Sequence, residues 1–288
     1  MTRQPTAYVR SARPADKAAV LRFTEHTWDW GDYLAEVWDE WLVEARSQML
    51  VATLDRRPVG VAHVVMVAPG EAWIEGMRVD PDFRQRGIAS ALTRRMLAAA
   101  VVMGARTIRF ATAAANTPVH RMAARLGFRK LSALLALRAD AAVGRSGLAP
   151  LAPADSNRVF ARIGQSPVVA AMGRMASVGW RFRELGPGLV SERLEAGLVK
   201  ALADGGQIQG LAIFEPAVAD VPQAVSCVDA ADARLPAMAS SLRAAAGQHS
   251  PAEVMVWLPE GAPSLAAFTQ AGFTPVTDHP IWIFERVL

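Results

Sequence analysis

The sequence predicts a mixed α/β protein built from two copies of one fold. Three pairs of similar segments recur in the same order, at offsets of 139, 150 and 145 residues. The pairs are residues 13–16 and 152–155, 60–64 and 210–214, and 118–128 and 263–273. Self-similarity at a nearly fixed offset indicates a repeated structural unit. A chain of 288 residues is also long enough for two domains.

The join between the copies is predicted near residues 141–147, a stretch of small residues that suits a linker. We therefore expect a first domain over residues 1–143 and a second over residues 144–288.

The elements of the first copy can be predicted in order. A short strand at 7–10 precedes a helix that begins near Pro14, because proline is tolerated in the first turn. Apolar runs predict strands at 49–55, 58–67 and 72–79, with a turn at Pro69-Gly70. The closing elements are a strand at 107–112, a helix at 118–126 and a strand at 131–137.

The central helix is predicted over residues 87–103. Its apolar residues recur at helical spacing, and Gly104 is a natural stop. They are Ile88, Ala91, Leu92, Met96, Ala99 and Met103.

Composition excludes several classes of protein. The net charge is +4, but 27 acidic residues are interspersed among 31 basic ones, which argues against nucleic-acid binding. No 18-residue uncharged apolar run or signal-peptide pattern is present, so we expect a cytoplasmic protein without a membrane partner. The single cysteine, Cys227, cannot form an internal disulfide. The histidines and this cysteine lack metal-ligand spacing, so we expect no metal.

A strand-loop-helix junction at residues 79–90 carries the strongest chemical signal. Backbone amides at a helix start are unpaired and form an anion site, which the helix dipole strengthens. Gly87 and the small Ala89 would let a ligand approach the backbone, and Arg84 and Arg86 add positive charge. An ordinary capped helix after a loop is the alternative that these residues alone leave open.

This junction resembles the acetyl-coenzyme A signature of the GNAT superfamily of N-acetyltransferases. Arg84, Gly87 and Ala89 match its Gln/Arg-x-x-Gly-x-Gly/Ala pattern, and Asn116 followed by Gly127-Phe128 resembles the family's closing helix motif. The resemblance covers roughly residues 7 to 140. It implies two tandem GNAT-like domains, each a mixed, mostly antiparallel sheet flanked by helices.

The resemblance also implies a set of coenzyme-binding residues. Backbone groups near Met77, Arg78 and Val79 would bind the thioester end and the pantetheine arm, and Asn116 would hold the coenzyme's other side. The loop would bind the pyrophosphate through the amides of Arg84, Gln85, Arg86, Gly87, Ile88, Ala89 and Ser90.

Glu75 is the candidate general base. A period-two strand would place it on the same face as Met77 and Val79, although it could instead be paired with an arginine. His63 on the preceding strand could share this work or be a satisfied, partly buried histidine. The tyrosine that the family usually carries seven residues after the asparagine is replaced here by Ala123. His120 and Tyr33 are the remaining candidates for the acid, with water as the alternative.

An aromatic and acidic stretch is the candidate acceptor site. It contains Trp28, Asp29, Asp32 and Tyr33, and aromatics interleaved with acids can enclose a cationic amine. Trp30, Trp38 and Trp41 lie in or near it, and the alternative is that the tryptophans pack in the core. The segment also weakly resembles GNAT members that acetylate free amino acids.

The second copy lacks these features. No glycine stands where Gly87 stands, and acids replace arginines through its turn at residues 229–232. Gly261 occupies the place of Asn116 and Phe268 that of Ala123. We expect a first domain that transfers acetyl groups to a small-molecule amine and a second that binds no coenzyme. An acyl-coenzyme A-binding regulator is the alternative from another class, and the sequence leaves a homodimer open.

Overall fold

The computed structural model describes residues 7–29, 31–247 and 252–288, so Trp30 lies outside it. The chain divides into two compact units. The first comprises the chain up to Ala111, Pro118–Arg129 and Phe284–Leu288. The second comprises Thr112–Thr117 and Lys130–Ile283. These units are interleaved along the chain, whereas the predicted domains meet once at residues 143 and 144. That boundary stays a prediction.

The first unit is built from an α/β run whose elements follow the predicted order as far as the helix expected at 118–126, whereas the closing strand expected at 131–137 lies in the second unit. Its strands are β1 (Tyr8–Ser11), β2 (Ser47–Leu54), β3 (Arg57–Ala68), β4 (Glu71–Val79) and β5 (Thr107–Ala113). Its helices are α1 (Lys17–Thr24), α2 (Leu34–Val43), α3 (Ile88–Val102) and α4 (Thr117–Arg125). The helix expected at Pro14 begins as a 3₁₀ turn, Pro14–Asp16, before α1.

The sheet of the first unit has a mixed pairing pattern. β1, β2, β3 and β4 pair antiparallel in sequence order, and β4 pairs parallel with β5. The α1 and α2 side chains pack with the sheet in one apolar cluster, which includes Val20, Leu34, Trp38, Trp41 and Val61. Trp38 and Trp41 are therefore core residues, as the packing alternative predicts.

Except for Arg129 and the end of the last strand from Phe284, which belong to the first unit, the remaining elements lie in the second unit. Its strands are β6 (Arg129–Asp140), β7 (Ala149–Pro150), β8 (Met175–Val178), β9 (Arg181–Glu184), β10 (Val199–Asp204), β11 (Gln207–Phe214), β12 (Gln223–Ala230), β13 (Glu253–Pro259), β14 (Thr274–Pro275) and β15 (Ile281–Val287). Its helices are α5 (Ser156–Gln165), α6 (Pro167–Ala171), α7 (Pro187–Glu195), α8 (Leu235–Ala246) and α9 (Pro263–Gln270).

The strand pairing of the second unit repeats that of the first. β7, β10, β11 and β12 pair antiparallel in this order, and β12 pairs parallel with β13. The mixed, mostly antiparallel α/β fold class is therefore confirmed, and the repeated pairing pattern fits the predicted duplication.

The matched sequence segments occupy matched structural positions. Gly60 in β3 and Gly210 in β11 each let a helix approach the sheet closely. A Cβ at Gly60 would lie 3.0 Å from Ile88 of α3, and one at Gly210 would lie 2.7 Å from Met238 of α8. These contacts explain physically why the two segments share a glycine.

The last residues of the chain belong to the first unit. Glu285 is buried and accepts a hydrogen bond from the Nε of Arg109 at 2.9 Å, and Arg109 also pairs with Glu71. Arg129 lies 2.7 Å from the other Glu285 oxygen. The ion pairs tie the end of β15 to β5, a tertiary connection that the repeat pattern does not predict.

None of the helices in the described ranges combines the length and the apolar character needed to cross a bilayer.

Candidate active site

A bulge in β4 organises the candidate site. His63 of β3 pairs with Glu75, but Val61 pairs with Arg78, so β4 contains one extra residue between these pairs. Gly76 lies within the bulge at φ +64°, in the left-handed region. Paired residues point to the same side of a sheet, so Glu75 and Arg78 share a face.

The bulge corrects the argument that Glu75, Met77 and Val79 share one face by strict alternation. Val79 pairs with Gly60, whose α-carbon faces α3, so Val79 lies on the opposite side from Glu75. A glycine inside a strand often marks a bulge, and Gly76 was the available signal in the sequence.

Trp41 of α2 packs against the bulge. A Cβ at Gly76 would collide with the Trp41 ring, so glycine is needed here for space as well as for its backbone conformation. The Trp41 ring stacks on the His63 ring with 4.5 Å between centroids and 9° between planes. The aromatic residue thereby fixes the orientation of the histidine.

Glu75 and His63 form a buried pair. The Nδ1 atom of His63 lies 3.0 Å from the Glu75 Oε1 atom, and the His63 side chain is 0% exposed. Glu44, one residue after α2, brings its Oε2 atom to 3.7 Å from the His63 Nε2 atom. Nitrogen and oxygen atoms of the three residues lie within 4.8 Å of one another. Glu75 and His63 are candidates from the sequence alone, whereas Glu44 is not, because no local pattern distinguishes it.

The predicted acceptor cage surrounds a side chain of the protein itself. Arg78 donates from Nε to Asp32 Oδ2 at 2.7 Å, and its guanidinium carbon lies 4.4 Å from the Trp28 ring centroid and 5.1 Å from that of Tyr33. The Trp28 and Tyr33 rings are stacked 5.9 Å apart. The expectation that Asp32 is available to an acceptor cation is therefore corrected, because the Arg78 guanidinium neutralises it. Asp29 is exposed in the adjacent turn.

The predicted anion site lies at the start of α3. Gly87 is the residue before the helix, at φ +76°, and it provides no side chain to cap the first-turn amides. A Cβ at Gly87 would have no neighbour within 4 Å, so the space beside the loop is open. Gln85 also adopts a positive φ of 61°. Arg84 and Arg86 are exposed, whereas Ile88 is buried and Ala89 and Ser90 are half-buried.

The arginines and the preceding turn are held by local contacts. Phe83 lies beneath the guanidinium groups of Arg57 and Arg86, at 5.3 and 5.1 Å from their central carbons. Asp80 accepts a hydrogen bond from the Asp82 amide at 3.1 Å and forms an ion pair with Arg57. These contacts define the path of the chain between β4 and α3.

β4 and β5 separate beside the bulge. Their paired register runs from Glu71 with Thr107 to Ile74 with Phe110, although β4 continues to Val79. The edge of residues 76–79 that faces β5 therefore lies beyond the part of β4 that pairs with β5. The Met77 carbonyl accepts from Arg78 Nη1 at 3.2 Å. An extended ligand could use the remaining backbone groups of this edge.

The other candidate residues are dispersed. Asn116 lies in the second unit and donates to Thr112 Oγ1 at 3.0 Å. His120 of α4 packs near Phe284, with 5.4 Å between ring centroids. Ala123 is 0% exposed, so a methyl group fills the position where the family usually has a tyrosine. The roles predicted for Asn116 and His120 stay predictions.

The second unit differs at the corresponding junction. The residue before α8 is Arg234, which pairs with Asp204, and Pro236 in the first turn has no N–H to donate. Asp229 is buried and accepts from Ser166 Oγ at 2.5 Å. An anion would meet fewer amides and less positive charge here than at α3.

A family model matches part of the chain. A model of the family described as Acetyltransferase (GNAT) family matches residues 16–128, from the 3₁₀ turn before α1 to Phe128. The match includes β4, the loop and α3. A search of curated proteins gives no match.

Two solved structures align with nearly the whole chain. A candidate acetyltransferase from Thermoplasma acidophilum is 16% identical over 98% of this chain and 100% of its own, with a TM-score of 0.59. A GCN5-related N-acetyltransferase from Sphaerobacter thermophilus is 16% identical over 97% of this chain and 95% of its own, with a TM-score of 0.61. At such identity the likeness establishes a shared fold.

Proposed function

Residues 16–128 match the GNAT acetyltransferase family, and from this premise we propose that the protein transfers an acetyl group from acetyl-coenzyme A to a small-molecule amine. The observation that carries the proposal is the open helix start at Gly87. Its left-handed backbone, the free space beside it and two exposed arginines suit a pyrophosphate. Acyl transfer from acetyl-coenzyme A to an amine is the general activity of the family.

The donor would lie between the loop and the separated edge of β4. The amides of residues 84–90 would bind its pyrophosphate, and the backbone of Met77, Arg78 and Val79 would bind the pantetheine arm. A backbone N–H near the thioester would stabilise the negative charge that develops on the carbonyl oxygen. Asn116 is proposed as a further coenzyme contact.

Glu75 would act as the general base. An amine must lose a proton before it can attack, and a carboxylate beside the acceptor can accept that proton. The N–H bond of the ammonium breaks, its electron pair stays on nitrogen and the proton passes to Glu75. The neutral amine then attacks the thioester within a ternary complex, and coenzyme A leaves as thiol or thiolate.

The leaving thiolate of coenzyme A needs a proton donor other than the tyrosine that the family usually carries. Ala123 offers no proton, so Tyr33, His120 or water would supply it. Tyr33 is the nearer candidate to the acceptor, because its ring contacts Trp41, the residue stacked on His63.

The acceptor class is proposed from the side chains around the bulge. Glu44 and Glu75 provide negative charge for an ammonium group, and a carboxylate of the acceptor would share the Arg78 guanidinium with Asp32 beside the aromatic pair formed by Trp28 and Tyr33. A free amino acid carries both an ammonium and a carboxylate and fits this combination. A drug amine, a polyamine or a protein N-terminus is the alternative acceptor.

One observation favours a second candidate function. The buried Ala123 methyl replaces a family proton donor, which is compatible with a regulator that binds acyl-coenzyme A without turnover.

The test is thiol release from acetyl-coenzyme A in the presence of free amino acids, polyamines, aminoglycosides and short peptides. The proposal predicts turnover with one class of small amine, well above the rate without acceptor. Tight coenzyme binding without turnover across the panel would support the regulator, and turnover with peptides alone would replace the proposed acceptor class.

A further inference from the structure

His63 is a fully buried polar residue to which the reaction described above assigns no role. Its Nε2 atom makes no hydrogen bond to the part of the chain that the structure describes. A buried polar atom without a hydrogen bond destabilises the folded state. The position of this ring therefore requires a physical explanation, and its two neighbouring carboxylates supply one.

The contact with Glu75 determines where the ring holds a proton. An ionised carboxylate only accepts hydrogen bonds, so the 3.0 Å contact with an ionised Glu75 requires a proton on His63 Nδ1. The Nε2 atom then faces the Glu44 carboxylate at 3.7 Å, beyond ordinary hydrogen-bond length. One carboxyl group thus lies beside each nitrogen atom of the imidazole ring.

The surroundings of the ring restrict it to this orientation. Trp41 of α2 covers one face of the ring, and Met49 of β2 is the cross-strand neighbour of His63. Neither carries a charge. The charged groups that face His63 are Glu75 from β4 and Glu44 from the segment after α2. Because Trp41 also packs against Gly76, the bulge and the histidine are held by the same side chain.

We propose that His63 is a positioning residue for the base Glu75. The Nδ1–H group holds the Glu75 carboxylate in its ionised form and aims it at the acceptor. A hydrogen bond to an ionised carboxylate is stronger than one between neutral groups, so this contact can fix the direction of the Glu75 carboxylate. This inference rests on the proposed function, because it assigns His63 a role through Glu75.

The test compares two variants of His63 whose side-chain amide nitrogens replace different nitrogen atoms of the ring. The amide nitrogen of His63→Asn can take the place of Nδ1, whereas that of His63→Gln takes the place of Nε2. We expect His63→Asn to keep kcat within about tenfold of wild type and His63→Gln to lose about 100-fold. In His63→Gln the acidic limb of the kcat/KM profile should also move to higher pH, because the carboxylate has lost its donor.

Controls separate positioning from folding and coenzyme binding. Both variants should keep the coenzyme dissociation constant and a Tm close to that of wild type. Equal activity in the two variants, or an unchanged pH profile in His63→Gln, would overturn the proposal. Loss of activity on treatment with a chelator, restored by Zn²⁺, would also overturn it by indicating a metal between Nε2 and Glu44.

A second measurement does not depend on turnover. The ring ¹⁵N signals of His63 can be assigned among the five histidines by comparison with His63→Gln. We expect a protonated Nδ1 that participates in a hydrogen bond. A ring protonated at Nε2 alone would refute the positioning role even if the enzyme is active. Absence of thiol release by wild type with any amine would instead refute the proposed function.

Discussion

Individual residues in the first unit obtain their chemical roles from specific neighbours. Arg78 is neutralised by Asp32 and covered by Trp28, while Glu75 is held by buried His63. The two side chains lie on the same sheet face because of one extra residue in β4. Because Arg78 occupies the predicted cage, we propose Glu75 rather than Asp32 as the acid that acts on an acceptor.

Replacement of Glu75 tests its role as the base. Glu75→Gln keeps the size of the side chain but cannot accept the ammonium proton. We expect kcat to fall about 100-fold or more while the coenzyme dissociation constant is unchanged. Thiol-release assays measure kcat, and titration calorimetry measures the coenzyme dissociation constant. The control is Glu36→Gln, on the exposed side of α2, which should behave as wild type. Retained activity in Glu75→Gln would exclude Glu75 as the base.

Cys227 gives a pH dependence of stability that is independent of catalysis. Burial raises the pKa of the Cys227 thiol to about 12, and the negative charge of Asp229 contributes in the same direction. The unfolded chain loses this proton at about pH 8.5–9, whereas the folded chain retains it until about pH 12. The folded state therefore binds more protons in this window, and its stability falls as pH rises.

We expect the thiol to lower the free energy of unfolding by about 2 kcal/mol between pH 9 and 10.5. Urea unfolding at the two pH values measures this loss. Cys227→Ala removes the ionising group, so its free energy of unfolding should fall less steeply over the same interval. Parallel pH dependences in the two proteins would show that the thiol makes no such contribution.

At the scale of elements, the start of α3 combines backbone geometry with accessibility. Gly87 and Gly104 flank this helix, and both have positive φ values and open space where a Cβ would lie, with no neighbour within 4 Å. A residue other than glycine strains the backbone about equally at each end. The two ends differ because the first has unpaired amides and a positive dipole end that can bind an anion.

This pair of glycines provides a matched test of coenzyme binding. Gly87→Ala and Gly104→Ala should each destabilise the protein by about 1 kcal/mol. We expect the coenzyme dissociation constant to rise about tenfold in Gly87→Ala, because the loop amides shift and a methyl group enters the ligand's space. It should stay within twofold of wild type in Gly104→Ala. Equal affinities would show that the pyrophosphate does not bind at this loop.

The order and type of the first-unit elements could be predicted from the sequence. Apolar periodicity identified α3 to within one residue at each end, and Pro69-Gly70 located the turn between β3 and β4. The bulge was not predicted, because alternation alone does not report one extra residue. Gly76 was the local signal, but its need for glycine depends on Trp41, which is distant in sequence.

At the scale of the whole molecule, the compact units do not follow the order of the chain. Phe284–Leu288 belong to the first unit, although the repeat assigns them to the second copy. Sequence periodicity identifies the copies but does not determine which copy a terminal strand completes. Likewise, Glu44 and the Arg78–Asp32 pair depend on tertiary contacts that the sequence pattern does not contain.

Replacement of the buried Glu285 tests how strongly the ion pairs at the end of β15 stabilise the first unit. Glu285→Gln removes the negative charge between Arg109 and Arg129, and loss of one partner from a buried ion pair costs about 3 kcal/mol. We expect Tm to fall by roughly 10 °C in a thermal unfolding experiment. Glu260→Gln, an exposed residue just after β13, is the control and should leave Tm unchanged. A Tm equal to that of wild type would show that the ion pairs do not stabilise the first unit.

Mass spectrometry of a completed reaction shows whether the protein transfers the acetyl group to an amine. Wild-type protein, acetyl-coenzyme A and the responsive amine should yield N-acetylated amine and free coenzyme A in equal amounts. Coenzyme A released without an acetylated amine would indicate thioester hydrolysis. That result, or unconsumed acetyl-coenzyme A with every amine tested, would contradict acetyl transfer to an amine.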